Sequence, residues 1–252
     1  MLLDPIFKPK KNYLLKRCGA KSDGGYLVGV NSLKKSNSFF SFGIGLLYSF
    51  ETDFVKYTKH KVKTLFVDSE YDEKKLFLRF LKSLFANIFF KFNYKNIFIC
   101  YEEYKNFKKF TSSYNFKKLF IKKNSIIEIL SSTNFTKPFF FKIDIEGGEY
   151  ELLDDLLKIK KSIQGLVIEF HNLHLKKNMT KAINFTKKIN LDIVHIHPMN
   201  FENLLIKKKY SKNMEITFER NPKFKEGKNK LPHCLDALCD PNAPEIFTYF
   251  KN

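Results

Sequence analysis

An apolar run that ends in two acids and two glycines constrains the fold of this chain most strongly. Phe139–Glu146 is predicted as a buried strand, and Tyr150–Leu157 after it has the pattern of a helix. In α/β sheets, strands of this kind deliver polar groups to their carboxyl ends, where such folds bind ligands. Because side chains alternate along a strand, Lys142, Asp144 and Glu146 are predicted to share one face. This motif alone does not distinguish a ligand site from an ordinary strand-to-helix turn with solvated acids.

A second motif lies upstream, where a predicted strand over Phe39–Gly43 runs into Gly43-x-Gly45 and then a helix. Glycines in such a turn let the backbone approach a ligand closely. The next predicted strand, Val62–Asp68, ends in an acid that can accept hydrogen bonds from ribose hydroxyls. Tyr48 stands where a dinucleotide fingerprint has its third glycine, and no Gly-Lys-Ser/Thr phosphate loop occurs. S-adenosylmethionine therefore fits better than NAD or ATP.

Strands and helices alternate along the chain. The predicted strands are Tyr26–Val30, Phe39–Gly43, Val62–Asp68, Asn96–Tyr101, Phe139–Glu146, Gly165–Phe170, Leu191–His197 and Met214–Glu219, and the predicted helices include Leu46–Lys59, Asp72–Phe90 and Ile126–Leu130. This alternation predicts an α/β, Rossmann-like, doubly wound and mostly parallel sheet with helices on both faces. The last strand, reached through a long irregular segment, is predicted to be antiparallel.

The length of 252 residues suits a single domain. Residues 1–37 are predicted to form an N-terminal extension that packs on the core, and residues 221–244 to form a long surface loop. No apolar run reaches the roughly 18 residues that cross a membrane. The N-terminus lacks the regions of a signal peptide, so a cytoplasmic location follows by default. The sequence does not decide between a monomer and a homo-oligomer.

The four cysteines show no Cys-x-x-Cys pair. His233, Cys234 and Cys239 resemble half of a metal site, but the sequence shows no other half. Isolated reduced thiols and no metal site are therefore predicted.

The net charge of +19 comes almost entirely from lysine, since Arg17, Arg79 and Arg220 are the only arginines. Arginine is preferred for bidentate recognition of bases and phosphates, so we interpret the charge as compositional and predict no specific nucleic-acid partner. The segment Phe85–Phe120 is rich in Phe, Tyr and Lys. Such a mixture also occurs in single-strand binders, which keeps a nucleic-acid-binding or RNA-modifying protein as the alternative.

In combination, these motifs resemble the FkbM-like family of S-adenosylmethionine-dependent methyltransferases. The match is clearest at Lys142-Ile143-Asp144-Ile145-Glu146-Gly147-Gly148-Glu149. Further similar features, in the expected order, are Arg17, Asp23–Tyr26, Phe42–Gly45, Asp68, Glu169–His171, His195–His197 and Met214–Phe218. One departure is Leu46-Leu47, which stands where many methyltransferases have an acid; Glu51 and Asp53 come later along the predicted helix.

The resemblance implies an enzyme that methylates a hydroxyl of a sugar or other small metabolite, often in bacterial surface-glycan, such as capsular polysaccharide, or natural-product pathways. The implied cofactor is S-adenosylmethionine, and the implied partner is a small acceptor, sugar-linked or phosphorylated. The residues that the resemblance implies for acceptor binding are Arg17, Asp23, Tyr26, Glu169 and His195.

The cofactor is expected to contact three parts of the chain. Gly43 and Gly45 would bring the backbone close to its methionine and ribose portions, and Asp68 would hold the ribose hydroxyls. Asn124 and Ser125, which precede the strand with the acids, are expected at the adenine edge.

The catalytic group is expected at the ends of the late strands. Asp144 and Glu146 would orient the acceptor and the cofactor. A neutral histidine, with an unperturbed pKa of about 6.5, can accept a hydroxyl proton near neutral pH. His171 is the first candidate for this base and His197 the second. The same acids and histidines could bind a divalent metal, but their spacing identifies none.

Overall fold

A seven-stranded sheet organises the part of the chain that the computed structural model describes, residues 1–89, 94–200 and 211–251. The strands are β1 (Leu2–Leu3), β2 (Asn12–Tyr13), β3 (Leu15–Cys18), β4 (Tyr26–Gly29), β5 (Ser38–Phe42), β6 (Lys63–Asp68), β7 (Phe116–Lys118), β8 (Phe139–Ile143), β9 (Ile163–Phe170), β10 (Asp192–Pro198), β11 (Met214–Glu219), β12 (Phe224–Lys225) and β13 (Tyr249–Phe250). The α-helices are α1 (Val30–Lys35), α2 (Ser49–Tyr57), α3 (Glu73–Phe89), α4 (Tyr94–Ser113), α5 (Ser125–Ser131), α6 (Glu149–Lys158) and α7 (Lys176–Ile189).

The strand order in the large sheet is β7-β6-β5-β8-β9-β11-β10. Neighbouring strands are parallel except around β11, which is antiparallel to both β9 and β10. The predicted mostly parallel, doubly wound sheet with a late antiparallel strand is therefore confirmed. The chain proceeds outward from β5 on one side and from β8 on the other, so the winding reverses between these two strands. A reversal of this kind opens a crevice at the carboxyl ends of the strands.

Phenylalanine fills the core on both faces of the central strands. Every residue of β5, β8 and β9 is buried. On one face, the ring centroid of Phe54 lies 4.4 Å from that of Phe39 and 4.3 Å from that of Phe140. On the other face, Phe40 stacks on Phe141 at 4.9 Å. Strands covered on both faces read as continuous apolar runs, which explains the Phe-rich sequences of β5 and β8.

The segment predicted as a strand over Asn96–Tyr101 lies instead within α4, which packs against α3. Cys100, Phe107 and Phe110 are the buried residues of α4, and their spacing of seven and three places them on one helical face. The strand prediction was wrong because a short apolar run does not distinguish a strand from a helix by period alone. The edge strand next to β6 is β7, which begins at Phe116.

Both ends of the chain lie against the sheet. Phe7 is fully buried in the core, and β1 pairs in parallel with β13. Within residues 221–244, β12 is the only strand or helix, which agrees with an irregular segment. This segment is not wholly at the surface, because the side chains of Asp236 and Cys239 are buried. Among the residues with described structure, no helix has the length and apolarity to cross a membrane.

Replacing Phe140 with alanine should lower the free energy of unfolding by about 3–5 kcal/mol, because a fully buried ring is lost from a packed core. The control is Phe247→Ala, since Phe247 is 55% exposed and its loss should change stability by less than about 0.5 kcal/mol. Chemical denaturation measures both values. Equal effects of the two substitutions would contradict this description of the core.

Candidate active site

A cavity of about 650 Å³ opens at the reversal between β5 and β8. Its volume lies within the roughly 300–1,000 Å³ that is typical of small-molecule sites. Its walls are Asp23, Gly24, Gly43–Leu47, Val67–Tyr71, Leu119–Ile121, Lys142, Asp144–Glu146 and Gly148. Both motifs singled out in the sequence therefore meet at one cavity.

Two glycines shape the wall of the cavity in different ways. Gly43 has a φ of +77°, and a Cβ added there would lie 1.6 Å from the carbonyl oxygen of Asp144. Glycine is therefore required for the ends of β5 and β8 to come this close. Gly45 has a φ of +54°, and a Cβ added there would meet no atom within 4 Å. Its backbone is thus open to a ligand.

Asp68 lies at the end of β6, in the wall of the cavity. Its Oδ2 accepts a hydrogen bond from the Gly45 N–H at 2.9 Å. Its Oδ1 accepts from the N–H groups of Glu70 at 2.7 Å and Tyr71 at 2.9 Å. A carboxylate offers about four acceptor positions, so about one remains for a ligand hydroxyl. Asp68 therefore also fixes the glycine turn, a role that sequence reasoning missed.

An ion pair lies beneath the turn. Lys142 Nζ donates to the carbonyl oxygen of Gly43 at 2.9 Å, and it lies 3.4 Å from Asp144 Oδ2 and 3.8 Å from Glu51 Oε1. Burial alone would lower the pKa of Lys142, but Asp144 and Glu51 raise it. Glu51 accepts a hydrogen bond from Ser41 Oγ at 2.5 Å. No acid directly follows the glycine turn. Glu51, on α2, instead contacts the turn through Lys142.

Asn124 and Ser125 do not reach the cavity. Asn124 has a left-handed backbone before α5, and its Oδ1 lies 3.3 Å from Lys158 Nζ. Ser125 is the first residue of α5, and its Oγ accepts from the Lys122 N–H at 3.0 Å. The loop after β7, Leu119–Ile121, reaches the cavity instead. Sequence reasoning missed this loop because it predicted the edge strand over Asn96–Tyr101, which lies within α4.

A row of polar side chains extends from the cavity along the carboxyl edge of the sheet. Asp144 lines the cavity, and the buried Tyr26 hydroxyl lies 3.0 Å from Asp144 Oδ2 and 3.3 Å from Glu169 Oε2. Glu215 on β11 is in register with Glu169 on β9 and with His197 on β10. Three neighbouring strands thus continue the row away from Asp144.

His171 lies among four carboxylates. Its Nε2 is 3.0 Å from Glu169 Oε1, 3.4 Å from Glu146 Oε2 and 3.8 Å from Asp144 Oδ1, while its Nδ1 is 3.4 Å from Glu149 Oε1. Burial alone would lower the pKa of His171, but the neighbouring carboxylates of Glu149 and Glu169 raise it to about 11. The ring is therefore charged near neutral pH, which corrects the expectation of a neutral histidine base.

The pKa of Glu169 lies close to neutral pH. Burial, and then the charge of Asp144, raise its pKa to about 8, while His171 opposes the rise. One ligand atom each from Asp144, Glu169 and His171 lie within 4.8 Å of one another, so these three could also hold a cation. Glu149 had no predicted role. Its Oε1 accepts a hydrogen bond from the backbone N–H of His171 at 2.7 Å, which fixes the position of that residue.

Of the two acceptor-binding residues predicted before β4, Asp23 and Arg17, only Asp23 is part of the cavity wall. Asp23 lines the cavity, and burial and Asp144 raise its pKa. Arg17 donates to the carbonyl oxygens of Ala20 at 2.7 Å and Ser22 at 3.1 Å, so it holds the turn before β4 rather than a ligand.

The two late histidines contact the C-terminal segment. His195 Nε2 lies 2.9 Å from Asp236 Oδ1. His197 Nε2 lies 3.4 Å from Glu245 Oε1, and its Nδ1 lies 3.8 Å from Glu215 Oε2. Burial alone would lower the pKa of His197, but Cys239, Glu215 and Glu245 raise it. His197 is therefore also a poor candidate for a neutral base.

No family model matches the chain, and no curated protein matches its sequence. Among solved structures, the chain is similar to a precorrin-6Y C5,15-methyltransferase from Geobacter metallireducens, with 11% identity, 76% of this chain and 85% of that chain covered, and a TM-score of 0.39. It is also similar to a fibrillarin pre-rRNA processing protein from Methanococcus jannaschii, with 9% identity, coverage of 76% and 70%, and a TM-score of 0.39. TrmK from M. capricolum, in complex with S-adenosylhomocysteine, has 14% identity, coverage of 77% and 67%, and a TM-score of 0.37.

Replacing Gly43 with alanine should destabilise the fold more than replacing Gly147 with alanine. Both glycines have a positive φ, but only the Cβ at position 43 would collide with another backbone segment, the carbonyl of Asp144. Alanine at either position is strained by the positive φ. The difference between the two losses in free energy of unfolding therefore reports the contact between β5 and β8. Chemical denaturation measures it, and equal losses of stability would show that this contact is not tight.

Proposed function

We propose that this chain is an S-adenosylmethionine-dependent O-methyltransferase that acts on a hydroxyl of a sugar or other small metabolite. One observation carries the proposal: the charge of the cavity is opposite to that of the chain. The chain has a net charge of +19, whereas the charged residues that line the cavity are five acids and one lysine, namely Asp23, Asp68, Glu70, Asp144, Glu146 and Lys142. Such a cavity attracts a cation and repels phosphate groups.

The cationic sulfonium of S-adenosylmethionine suits this cavity better than a dinucleotide or a nucleoside triphosphate. Gly45 leaves room for a close ligand, and Asp68 has about one acceptor position for a ribose hydroxyl. Leu119, Phe120 and Ile121 supply an apolar wall against which an adenine ring can pack. Lys142 is already engaged by Gly43 and Asp144, so it does not offer a free charge to a phosphate.

The acceptor is proposed to bind where the cavity meets the polar row, at Asp144. Bound cofactor would supply a methyl group on a carbon–sulfur bond that breaks as the new carbon–oxygen bond forms. Asp144 and the Tyr26 hydroxyl orient the acceptor hydroxyl, and Glu169 accepts its proton. The charged His171 lowers the pKa of Glu169 and so keeps more of it in the basic form.

A sugar or another polyhydroxyl acceptor fits the carboxylates of the row, which accept hydrogen bonds from hydroxyls. The order of motifs shared with the FkbM-like family supports the same class of acceptor. Within this proposal, Asp23, Tyr26 and Glu169 contact the acceptor, whereas Arg17 and His195 act through the segments that they hold in place.

One observation favours the alternative of an RNA-linked acceptor. The aromatic residues of α4 divide between the core and the surface: Phe107 is fully buried, but Phe98 is 64% exposed and Tyr101 is 42% exposed. Exposed aromatic rings near lysines can stack on bases. Strong binding of single-stranded RNA that weakens with salt would favour this acceptor over a small one.

S-adenosylhomocysteine should bind the purified protein and raise its melting temperature, as any ligand of the native state does. Asp68→Asn should weaken binding by about one to two orders of magnitude, since hydrogen bonds to charged groups are worth about 1.5–3 kcal/mol. Asp72→Asn is the matched control, because Asp72 pairs with Lys118 and is not part of the cavity wall. Calorimetry that detects no binding at millimolar ligand would refute the proposed cofactor.

Methyl transfer should increase with pH around the Glu169 pKa of about 8, because the base works only when it is ionised. The groups that face Glu169 are Tyr26, Lys142, Asp144, His171 and Glu215. Glu169→Gln should reduce turnover by about 10²–10⁴ and remove this pH dependence while leaving cofactor affinity unchanged.

His171→Gln provides the second arm of that experiment. It removes a charge that lowers the pKa of Glu169, so the rise in activity should move to higher pH. Single-turnover methyl transfer, with a sugar acceptor selected from a panel, measures both variants. A Glu169→Gln enzyme with the wild-type rate and pH profile would exclude Glu169 as the base.

A further inference from the structure

We propose that His197, Glu215 and Cys239 form a binding site for a divalent zinc-type cation. One ligand atom from each residue lies within 4.8 Å of the others, and all three residues are buried. They include the three types of donor that zinc uses in proteins: imidazole, carboxylate and thiolate. The site does not depend on the proposed methyl transfer, because none of its residues lines the cofactor cavity.

The fold brings together donors that are far apart in the sequence. His197 and Glu215 are partners in the antiparallel pairing of β10 and β11, so their side chains lie on the same face of the sheet. Cys239 comes from the irregular segment after β12, which covers that face. The donors missing from the sequence around Cys239 are thus supplied by His197 on β10 and Glu215 on β11.

One donor of the cluster lacks a hydrogen-bond partner. His197 is 3% exposed, and its Nε2 has no such partner although Glu245 Oε1 lies 3.4 Å away. Glu215 is 4% exposed, and its Oε2 lies 3.8 Å from His197 Nδ1. Buried polar groups usually have hydrogen-bond partners, so the orphaned imidazole nitrogen points to a ligand. A cation at this point would satisfy the imidazole, the carboxylate and the thiol together.

The donor set selects the class of cation. Magnesium and calcium prefer oxygen ligands, whereas zinc accepts sulfur and nitrogen as well. Three protein ligands leave one position of a tetrahedral zinc ion for water or another ligand. The Oε1 atom of Glu245 lies 3.4 Å from His197 Nε2, so Glu245 would be a nearby source of a fourth ligand.

A cation here would join the C-terminal segment to the sheet beside the acceptor end of the polar row. Glu215 is the register partner of Glu169, so the two carboxylates lie on neighbouring strands. The cation would therefore hold the segment that carries Asp236, Cys239 and Glu245 over β10 and β11.

The experiment measures zinc binding to the full-length protein, first stripped with a chelator and then titrated with zinc against a chromophoric competitor. The expected stoichiometry is one ion per chain. Cys239→Ser and His197→Gln should each weaken zinc binding by more than the ~10–100-fold that loss of a supporting group costs. Cys234→Ser is the matched control, since this exposed thiol lies in the same segment and should leave the affinity unchanged.

Cobalt substitution gives a readout that does not depend on activity or on a variant that folds. The cobalt-loaded wild type and Cys234→Ser should show a sulfur-to-cobalt charge-transfer band in the near ultraviolet, and folded Cys239→Ser should lack it. Absence of stoichiometric zinc binding in the wild type, or absence of that band, would overturn the proposal. Equal loss of affinity in Cys234→Ser and Cys239→Ser would also overturn it.

Discussion

The close approach of β5 and β8 at Gly43 is the constraint on which the site depends. The Asp144 N–H donates to the carbonyl oxygen of Phe42 at 3.0 Å, and Lys142 Nζ donates to that of Gly43 at 2.9 Å. The turn that faces the proposed cofactor and the carboxylate that faces the proposed acceptor are thereby held against each other. Because methyl transfer needs the acceptor oxygen in line with the carbon–sulfur bond, fixing these two elements together would pre-organise the proposed reaction.

The concentration of buried charge is the second property that unites the structure. Leaving a buried charge without a partner is costly, and here two cations serve several acids. Lys142 lies between Glu51 and Asp144, and His171 lies between Glu149 and Glu169. This arrangement confines a strongly acidic site within a basic chain. It also gives the histidine an electrostatic role, because its charge lowers the pKa of Glu169 and so favours the ionised carboxylate that the proposed mechanism uses.

The sequence predicted the central buried strands and the mostly parallel sheet, because buried parallel strands give continuous apolar runs and end in recognisable turns. It also predicted that Asp144, Glu146 and His171 would lie together, since strand ends in such a sheet share one edge. It could not predict the protonation of His171, which depends on four carboxylates from three parts of the chain. It missed the apolar cavity wall at Leu119–Ile121 and the neighbours of Cys239, because both arise from tertiary contacts of irregular segments.

A crystal structure of the protein with S-adenosylhomocysteine would show where the proposed cofactor binds. We expect the ligand in the cavity between β5 and β8, with its ribose at Asp68 and its sulfur directed toward Asp144. The adenine ring should pack against Leu119–Ile121 rather than against Asn124 and Ser125. An empty cavity at saturating ligand, or a ligand bound away from Gly45 and Asp68, would contradict this expectation.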